Sequence, residues 1–430
     1  MNVHDSEKMA GMLEAMGYSP APDAESADIL LFNTCSVREN PERRLFGQVG
    51  VLARRKAQNP RLIIGIGGCM MQQPGEVEKV KNELPWVDLV FGTHNLHRLP
   101  ELIRRVQAGE RPVIEVWQDS PEIVENIPVH RQSSLSAFVD IIYGCNKFCT
   151  YCIVPFTRGR EKSRRPEEIL AEVREFAARG GREVTLLGQN VNAYGKDLPG
   201  GQWDFGRLLL AVNDVEGLYR VRFTTSHPAD VQESMITAMR DGEKICEHLH
   251  LPVQSGSDRV LRRMGRRYTA DQYRALVERF REAIPDLTLT TDIIVGFPGE
   301  TEEDFAATLR LVEDVRYDAA YTFIYSPRTG TAATRLRDHV PEPVKKERIY
   351  RLIQVVERIA QEKNDALVGS RQEVLVEGPS QHDPAMLAGR TRGNKLVHFP
   401  GPAQWAGNLK TVQIREAHAH TLYGDVVSHA

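Results

Sequence analysis

Cys145, Cys149 and Cys152 stand at C-x3-C-x2-C spacing in the segment CNKFCTYC, directly after the apolar run Phe138–Tyr143. Three thiolates so close together can grip a soft metal centre, and no obvious fourth ligand accompanies them. Four-thiolate iron–sulfur clusters fill every iron, and structural zinc sites close a tetrahedron. The nearest histidines are His130 before and His227 after, and the next cysteine is Cys246. A 4Fe-4S cluster on three thiolates leaves one iron open, so such a centre can do chemistry. Two blander readings stand beside it: a zinc knuckle completed from a distance, and three core cysteines that happen to be close. Against the last, buried cysteines have no reason to cluster at ligand spacing.

Other residues sit where strand ends would present them. Cys35 follows the strand-like ADILLFNT and Cys69 follows LIIGIGG. Both fall at the carboxyl edge of a sheet, where doubly wound folds bind ligands, with structural burial as the lesser alternative. Gln189, Asn190 and Asn192 follow another strand pattern, and their amides suit either a ligand or the capping of a turn. Ser226, Gln254 and Ser255 occupy equivalent positions after later strands. Asp292 leads into G-F-P-G-E, where Gly296 lets a ligand approach the backbone closely or simply makes a βα turn. Cys246 has no ligand-spaced companion and reads as a buried thiol. Basic runs follow two of these strands: Arg158, Arg160, Lys162, Arg164 and Arg165, then Arg262, Arg263, Arg266 and Arg267. They fit phosphate binding or a solvated helix face.

The elements that must position these groups divide the chain in three. Its 430 residues suit two or three domains, and 41% hydrophobic with 26% charged residues is ordinary for a globular protein. A net charge of −3 points to local basic patches rather than a generally cationic surface. No apolar stretch approaches bilayer length. The start, MNVHDSEKMAGMLEAMG, reads as a polar amphipathic helix rather than a signal peptide. Six cysteines with three clustered suit a reducing cytoplasm. Residues 1–118 alternate strands (Ala27–Asn33, Arg61–Gly68, Trp86–Gly92) with helices, as a parallel doubly wound sheet does. A Pro-containing linker covers Glu115–Ser134. From 131 to 366 six longer βα units predict a partial TIM-type barrel, strands at Phe138–Tyr143, Glu183–Leu187, Tyr219–Thr224, His248–Val253, Leu287–Val295 and Ala320–Tyr325. Such barrels carry their chemistry on the loops after the strands. After a long helix, 369–430 shows short β runs (Gln372–Glu377, Lys395–Phe399, Lys410–Glu416, Thr421–Val427) and predicts a small all-β barrel of the OB kind. The whole is an α/β multidomain chain.

The segment Tyr143–Arg160, YGCNKFCTYCIVPFTRGR, resembles the cluster loop of radical S-adenosylmethionine enzymes, and more narrowly that of the methylthiotransferases. The resemblance extends over NTCSVRE (Asn33–Glu39), LLGQNVNAYG, FTTSHP, HLPVQSGSDRVLRRM and TDIIVGFPGET, and is closest to the MiaB-type tRNA enzymes. It implies that Cys145, Cys149 and Cys152 hold a 4Fe-4S cluster whose open iron takes S-adenosylmethionine, with Phe148 or Tyr151 as a shield. Cleavage of that cofactor then yields a radical able to attack an unactivated aromatic C–H. Gln189, Asn190, Ser226, Gln254, Ser255, Asp292 and Gly296 become cofactor-binding positions. A second 4Fe-4S cluster is implied on three cysteines of a flavodoxin-like first domain, among them Cys35 and Cys69. The third belongs to a Y-G-C-Q-M-N strand, and this chain begins inside that motif. A mis-set start or a truncated record is the expectation, with a central first strand missing from the sheet.

The last segment is similar to the RNA-holding TRAM domain, with Arg390, Arg392, Asn394 and Lys395 in a strand loop and Phe399 and Trp405 either as stacking partners or, as is commoner in so small a domain, as core. Arg158, Arg160, Arg262, Arg263, Arg392 and Lys395 become candidate RNA contacts. The implied reaction is methylthiolation of C2 of N6-isopentenyladenosine beside a tRNA anticodon. The sister reactions, on threonylcarbamoyladenosine or on an aspartate of a ribosomal protein, are alternatives, and an RNA-binding protein with structural zinc is a third. The expected partners are tRNA, an electron donor such as flavodoxin or ferredoxin and a sulfur donor, for a cytoplasmic monomer.

Overall fold

The computed structural model describes residues 1–36, 39–120, 122–381 and 383–427, and for 39–43 the backbone alone. Val37 and Arg38 of the NTCSVRE stretch therefore lie outside the described residues, as do the last three of the segment read as 369–430. The chain forms two compact units: 1–133 with 140–168 and 326–335, and 134–139 with 169–325 and 336–430.

In the first unit the apolar runs form four strands, β1 (Ile29–Thr34), β2 (Ile63–Gly68), β3 (Leu89–Phe91) and β4 (Val113–Glu115), ordered β1-β2-β3-β4 and parallel. The fourth lies at the edge of the segment read as linker. Three residues behind a proline are too few to show a period of two. β1 pairs directly with β2 from Ile29↔Ile63 to Thr34↔Gly68. Among the described residues no strand precedes β1, and β1 and β2 pair over the place that a central first strand would take in a flavodoxin-like order. Around the sheet run α1 (Asn2–Ala15), α2 (Glu39–Gly50), α3 (Leu52–Gln58), α4 (Glu76–Glu83) and α5 (Leu99–Gln107). Met9 and Met12 of α1 pack with Ile63, Leu89, Phe91 and the α5 residues Leu99, Leu102 and Ile103. Leu45, Val49 and Val80 pack with Ile64, Ile66 and Val90 in a second core. Successive residues of β2 thus face two cores, as a strand covered on both faces must. The polar side of α1 is not solvated: His4, Asp5, Glu7 and Lys8 are all buried.

Before its closing barrel the second unit has, among the described residues, six strands with intervening helices: β5 (Ser136–Asp140, whose last residue opens the inserted part of the first unit), β8 (Glu183–Leu187), β9 (Arg220–Thr224), β10 (His248–His250), β11 (Thr288–Val295) and β12 (Ala319–Ile324). The orders are β5-β8-β9 and β10-β11-β12, linked by a parallel bridge Val221↔Ile245. The helices are α7 (Pro166–Ala178), α8 (Phe205–Asn213), α9 (Glu233–Asp241), α10 (Asp258–Arg263), α11 (Ala270–Ala283) and α12 (Glu302–Val315). Capping boxes at Thr269/Gln272 and Thr301/Asp304 start α11 and α12 where the sequence pattern puts them. The apolar run read as one strand at Phe138–Tyr143 divides, because Ile142–Tyr143 (β6) leaves the parallel sheet to pair antiparallel with Lys162–Ser163 (β7).

Helix α13 (Glu342–Asp365) leads to five strands, β13 (Arg371–Pro379), β14 (Met386–Thr391), β15 (Leu396–Pro400), β16 (Leu409–Ala417) and β17 (Thr421–Val426), closed in the order β13-β14-β15-β17-β16. β14 escapes a reading by composition because its MLAGRT carries one β-branched residue and no aromatic one. Phe399 fills the barrel core with Val374, Val397, Val412 and Leu422, the core alternative of its sequence reading rather than the stacking one. The barrel is seated on the amino ends of the strands. Arg222 Nε donates to Glu183 (2.8 Å) and its other nitrogens donate to the carbonyls of Thr391 (2.7 Å) and Arg392 (2.8 Å). Arg392 in turn pairs with Glu247 at 2.6 Å, and Lys395 with Asp318 at 3.0 Å. The opposite, carboxyl ends are left to the loops that carry chemistry. Among the described residues no helix is long and apolar enough to cross a membrane.

Candidate functional site

Cys145, Cys149 and Cys152 lie in one excursion of the first unit, closed at its base by the pairs Ile142↔Ser163 and Tyr143↔Lys162. Gly144 makes the entry turn at φ +70°, and a Cβ there would lie 2.1 Å from the Arg160 carbonyl oxygen, so only glycine lets the two arms cross. The Cys145 amide donates to the Gly159 carbonyl (3.1 Å) and the Cys152 amide to the Cys149 carbonyl (2.9 Å). The helical turn α6 (Val154–Thr157) completes the loop, and the Ala333 amide donates to the Thr150 carbonyl at 2.8 Å. All six cysteines are outside any disulfide. Burial pushes the Cys145 thiol up to about 11. Phe148, at φ +48°, is 40% exposed and packs its edge against Phe156 with the Arg160 guanidinium over its face. Among the described residues, no three His, Cys, Asp or Glu side chains converge closely enough to hold a metal ion. The loop shares its thiols without drawing them together. The donor set nonetheless fits a soft metal centre: three sulfurs on one pinned loop.

Cys35 and Cys69 come together at the carboxyl edge of the parallel sheet, each directly after one of the paired residues Thr34 and Gly68. Cys69 is buried, and that burial raises its thiol while the nearby Arg158 opposes the rise. Arg158 Nε lies 3.0 Å from Cys69 Sγ, and Nη2 binds the Asp5 carboxylate at 2.5 Å. This corrects the reading of Arg158 as an RNA contact: its guanidinium is buried and already engaged. Residues that the sequence pattern missed surround it. Lys8 donates to Asp140 (2.6 Å) and to the Tyr143 hydroxyl (3.0 Å), beside the entry to the cysteine loop. Burial raises the Asp140 carboxyl, but the Lys8 ammonium, together with His4 and the amino group of Met1, holds that carboxyl well below its ordinary range. The sequence pattern read this helix as polar and amphipathic, so nothing in it announced the burial of these charges.

In the second unit the strand ends gather several of the expected polar groups. Thr225 and Gln254 hold positive φ, 73° and 71°, which non-glycine residues rarely adopt outside strained functional turns. Ser226 Oγ and Gln254 Oε1 are buried with no hydrogen-bond partner among the described residues. Such atoms are uncommon in folded proteins and point to an absent ligand. Gln254 is fixed by its backbone, with N donating to the Asp292 carbonyl (2.8 Å) and O accepting from Ile294 (3.0 Å). Asp292 lies 3.5 Å from His250 Nε2. Asn190 donates to Asp230 (2.6 Å), which also pairs with Lys196, and Asn192 exchanges two bonds with the His227 backbone at 2.9 Å. Asp230 was not singled out in the sequence, since one acid in a Pro-containing loop carries no pattern. Gln189 is half-buried beside them. Two expectations are corrected. Ser255 turns its hydroxyl to Thr308 (3.2 Å) and the Ser257 amide (3.2 Å), so it shapes the turn into α10. At Gly296 a Cβ would lie 2.4 Å from Lys345 Cγ, so the space that the glycine leaves is filled by the stem of a lysine on α13.

The other basic candidates separate by their partners. Arg392 and Lys395 are committed to Glu247 and Asp318, which corrects their reading as RNA contacts, and Arg263 pairs with Asp338 at 2.7 Å. Arg160, Arg262 and Arg267 are exposed. Trp405 is half-buried with the Lys410 ammonium over its ring. Cys246 is buried, as its isolation suggested.

Comparison with known proteins gives three family matches: the radical SAM superfamily over residues 139–312, the uncharacterized protein family UPF0004 over 1–92 and the TRAM domain over 365–427. Among curated relatives, the tRNA-2-methylthio-N(6)-dimethylallyladenosine synthase of Thermoanaerobacter sp. (strain X514) is 54% identical over 99% of this chain and 90% of its own length. The protein of the same name from Carboxydothermus hydrogenoformans is 52% identical over 99% of this chain and 97% of its own. That from Geobacillus kaustophilus is 50% identical over 100% and 81%. Among solved structures, the radical S-adenosylmethionine methyltransferase TsrM from Kitasatospora setae, with cobalamin and a [4Fe-4S] cluster bound, aligns over 86% of this chain and 77% of its own. Its TM-score is 0.54 at 13% identity, a likeness of fold.

Proposed function

The chain belongs to the family of tRNA-2-methylthio-N(6)-dimethylallyladenosine synthases, and on that premise we propose how its own residues serve the reaction. The enzyme is a radical S-adenosylmethionine methylthiotransferase of tRNA: it places a methylthio group on C2 of N6-isopentenyladenosine next to the anticodon. Cys145, Cys149 and Cys152 hold one 4Fe-4S cluster, and Cys35 and Cys69 are ligands of the second. When bound, the clusters and S-adenosylmethionine supply radical chemistry at a C–H bond that no acid or base can activate.

The observation that carries this reading is the pinned loop between Tyr143 and Lys162, which offers three sulfurs from one turn. The buried oxygens of Ser226 and Gln254 accept hydrogen bonds from S-adenosylmethionine, with Asn190 and Asp292 at neighbouring strand ends. Phe148 and Phe156 keep water from the loop by covering it with two packed rings. Arg160, Arg262 and Arg267 contact tRNA phosphates. The chain acts as a cytoplasmic monomer, drawing electrons from a small carrier such as flavodoxin or ferredoxin and sulfur from a separate donor.

Anaerobic reconstitution followed by incubation with S-adenosylmethionine, a reductant, sulfide and an anticodon stem-loop tests it. 5′-Deoxyadenosine and the 2-methylthio nucleoside are expected, the latter only when the adenosine carries its isopentenyl group. Modification of a threonylcarbamoyladenosine stem-loop instead would replace this substrate by the sister one, and a colourless protein holding zinc without iron would remove the radical mechanism.

A further inference from the structure

We propose that the inward face of β10–β12 is a subsite for the target base, in which Tyr321 stacks on the adenine ring and His250 donates from Nε2 to its edge. The inference rests on the reading of the substrate as an adenosine beside the anticodon.

The strand alternation separates two faces of this sheet. Leu249, Leu289, Thr291 and Ile293 fall on one side and are fully buried, with Thr291 against Tyr273 of α11. His248, Thr290, His250 and Asp292 fall on the other, the face that His248 shares with the Arg222 guanidinium of β9. Tyr321 lies beside Asp292 in the parallel register of β11 and β12. TIM-type barrels fill this inward face with bulky branched side chains. Here it carries polar groups instead, and exposure rises along it: Thr290 and His250 are buried, Asp292 is half-buried and Tyr321 is 56% exposed.

The hydrogen bonds fix which way His250 presents its protons. Its Nδ1 lies 3.0 Å from the Thr290 hydroxyl, which also lies 3.3 Å from His248 Nε2. Its Nε2 faces the Asp292 carboxylate at 3.5 Å, longer than a good hydrogen bond. A lone pair there would oppose the carboxylate, so Nε2 carries the proton and Nδ1 accepts from Thr290. The same hydroxyl then accepts from His248 Nε2–H. The Nε2–H of His250 is thus aimed past Asp292, beside the Tyr321 ring, whose centroid is 5.8 Å away at an interplanar angle of 71°.

Chemistry on a nucleobase requires it to leave its stack, and an unstacked base is held by an aromatic face and by hydrogen bonds to its edge. Tyr321 and His250 supply one of each. S-adenosylmethionine carries an adenine as well, but Ser226 follows β9, three strand spacings or about 14 Å from β12. Among the described residues β12 has no strand beyond it, so Tyr321 stands at the open edge of the sheet, where a base can enter from the side.

Two anticodon stem-loops test the subsite on the anaerobically reconstituted chain, one with isopentenyladenosine and one abasic at that position. Fluorescence anisotropy gives the Kd of each, and calorimetry that of S-adenosylmethionine. The parent is expected to prefer the base-bearing stem-loop. Tyr321→Ala, which removes an exposed ring and spares the fold, should weaken that stem-loop about 5- to 140-fold and leave the abasic one unchanged. Tyr321→Phe should keep the parent values. His250→Leu should lower the preference for the base, and His250→Gln, whose amide still donates, should retain more of it. Equal losses on both stem-loops in Tyr321→Ala would overturn the proposal, as would weaker S-adenosylmethionine binding with unchanged stem-loop binding, which gives the ring to the cofactor. A parent blind to the missing base would remove the substrate reading itself, and this inference with it.

Discussion

The amide of Ser226 donates to the carbonyl of His250, 3.3 Å away, and so ties the loop after β9 to the last residue of β10. The tie sets the Ser226 hydroxyl and the Gln254 amide on neighbouring strand ends. Each buries an oxygen that meets no donor among the described residues.

Ser226→Ala and Gln254→Ala are therefore expected to weaken S-adenosylmethionine binding with little loss of stability. A neutral hydrogen bond is worth about 0.5–1.5 kcal/mol, or roughly 2- to 10-fold in Kd. Calorimetric titration of the reconstituted protein checks the affinity and a melting curve the stability. An unchanged Kd in both variants would remove these residues from the cofactor site.

Replacing any one of Cys145, Cys149 and Cys152 by alanine is expected to remove about four irons per chain, the content of one 4Fe-4S cluster. It should also abolish formation of 5′-deoxyadenosine. Chelation and re-addition of iron and sulfide should restore activity to the parent and not to the variants. Iron analysis beside product chromatography reads both, and a Cys145→Ala protein that still makes 5′-deoxyadenosine would contradict the assignment.

How far the site was legible follows from what a linear pattern encodes. Ligand spacing is local, so Cys145, Cys149 and Cys152 stood out at once, and the six strands that position the later loops carry apolar runs long enough to read. β4 and β14 were missed because three residues behind a proline and a run of Ala, Gly and Arg show no strand period. The pairings that decide what a charged residue does are non-local. Nothing near Arg158 in the chain announces Asp5 or Cys69, and nothing near Arg392 announces Glu247. Basic residues that looked alike in sequence thus divide in the fold into buried braces and exposed ones.

That division gives a binding prediction. Arg262→Ala and Arg267→Ala should weaken binding of tRNA about equally across sequences and lower the salt slope of log K by about 1 each if each neutralises one phosphate. Arg392→Ala should instead lower stability, because it leaves Glu247 and two backbone carbonyls without their donor. Filter binding over a salt series, beside urea unfolding, separates the two effects. An unchanged salt slope in Arg262→Ala and Arg267→Ala would place the RNA elsewhere.

Lys8 and Asp140 form a buried pair at the base of the cysteine loop, and breaking one partner of such a pair costs about 3–5 kcal/mol. Lys8→Met leaves the Asp140 carboxylate buried, with the His4 imidazole Nε2 3.9 Å away. A marked fall in the urea midpoint of the first unit is expected, with poorer retention of iron because Tyr143 loses its donor. A midpoint like that of the parent would show that His4 takes over the role of Lys8.

His248 provides the pH test. Burial, with the Arg222 guanidinium beside it, pushes its imidazole down to about 3 from an ordinary 6.5. The unfolded chain therefore takes up a proton at this residue below pH 6.5, where the folded protein does not. Stability from this source is complete above pH 6.5 and falls as the pH is lowered towards 3. The slope cannot exceed about 1.4 kcal/mol per pH unit for one group, so between pH 6.5 and 5 the loss amounts to about 1–2 kcal/mol. His248→Gln removes the titrating group and should flatten the profile over this interval relative to the parent. Urea unfolding at a series of pH values measures it, and parallel profiles for the two proteins would mean that His248 titrates alike in both states.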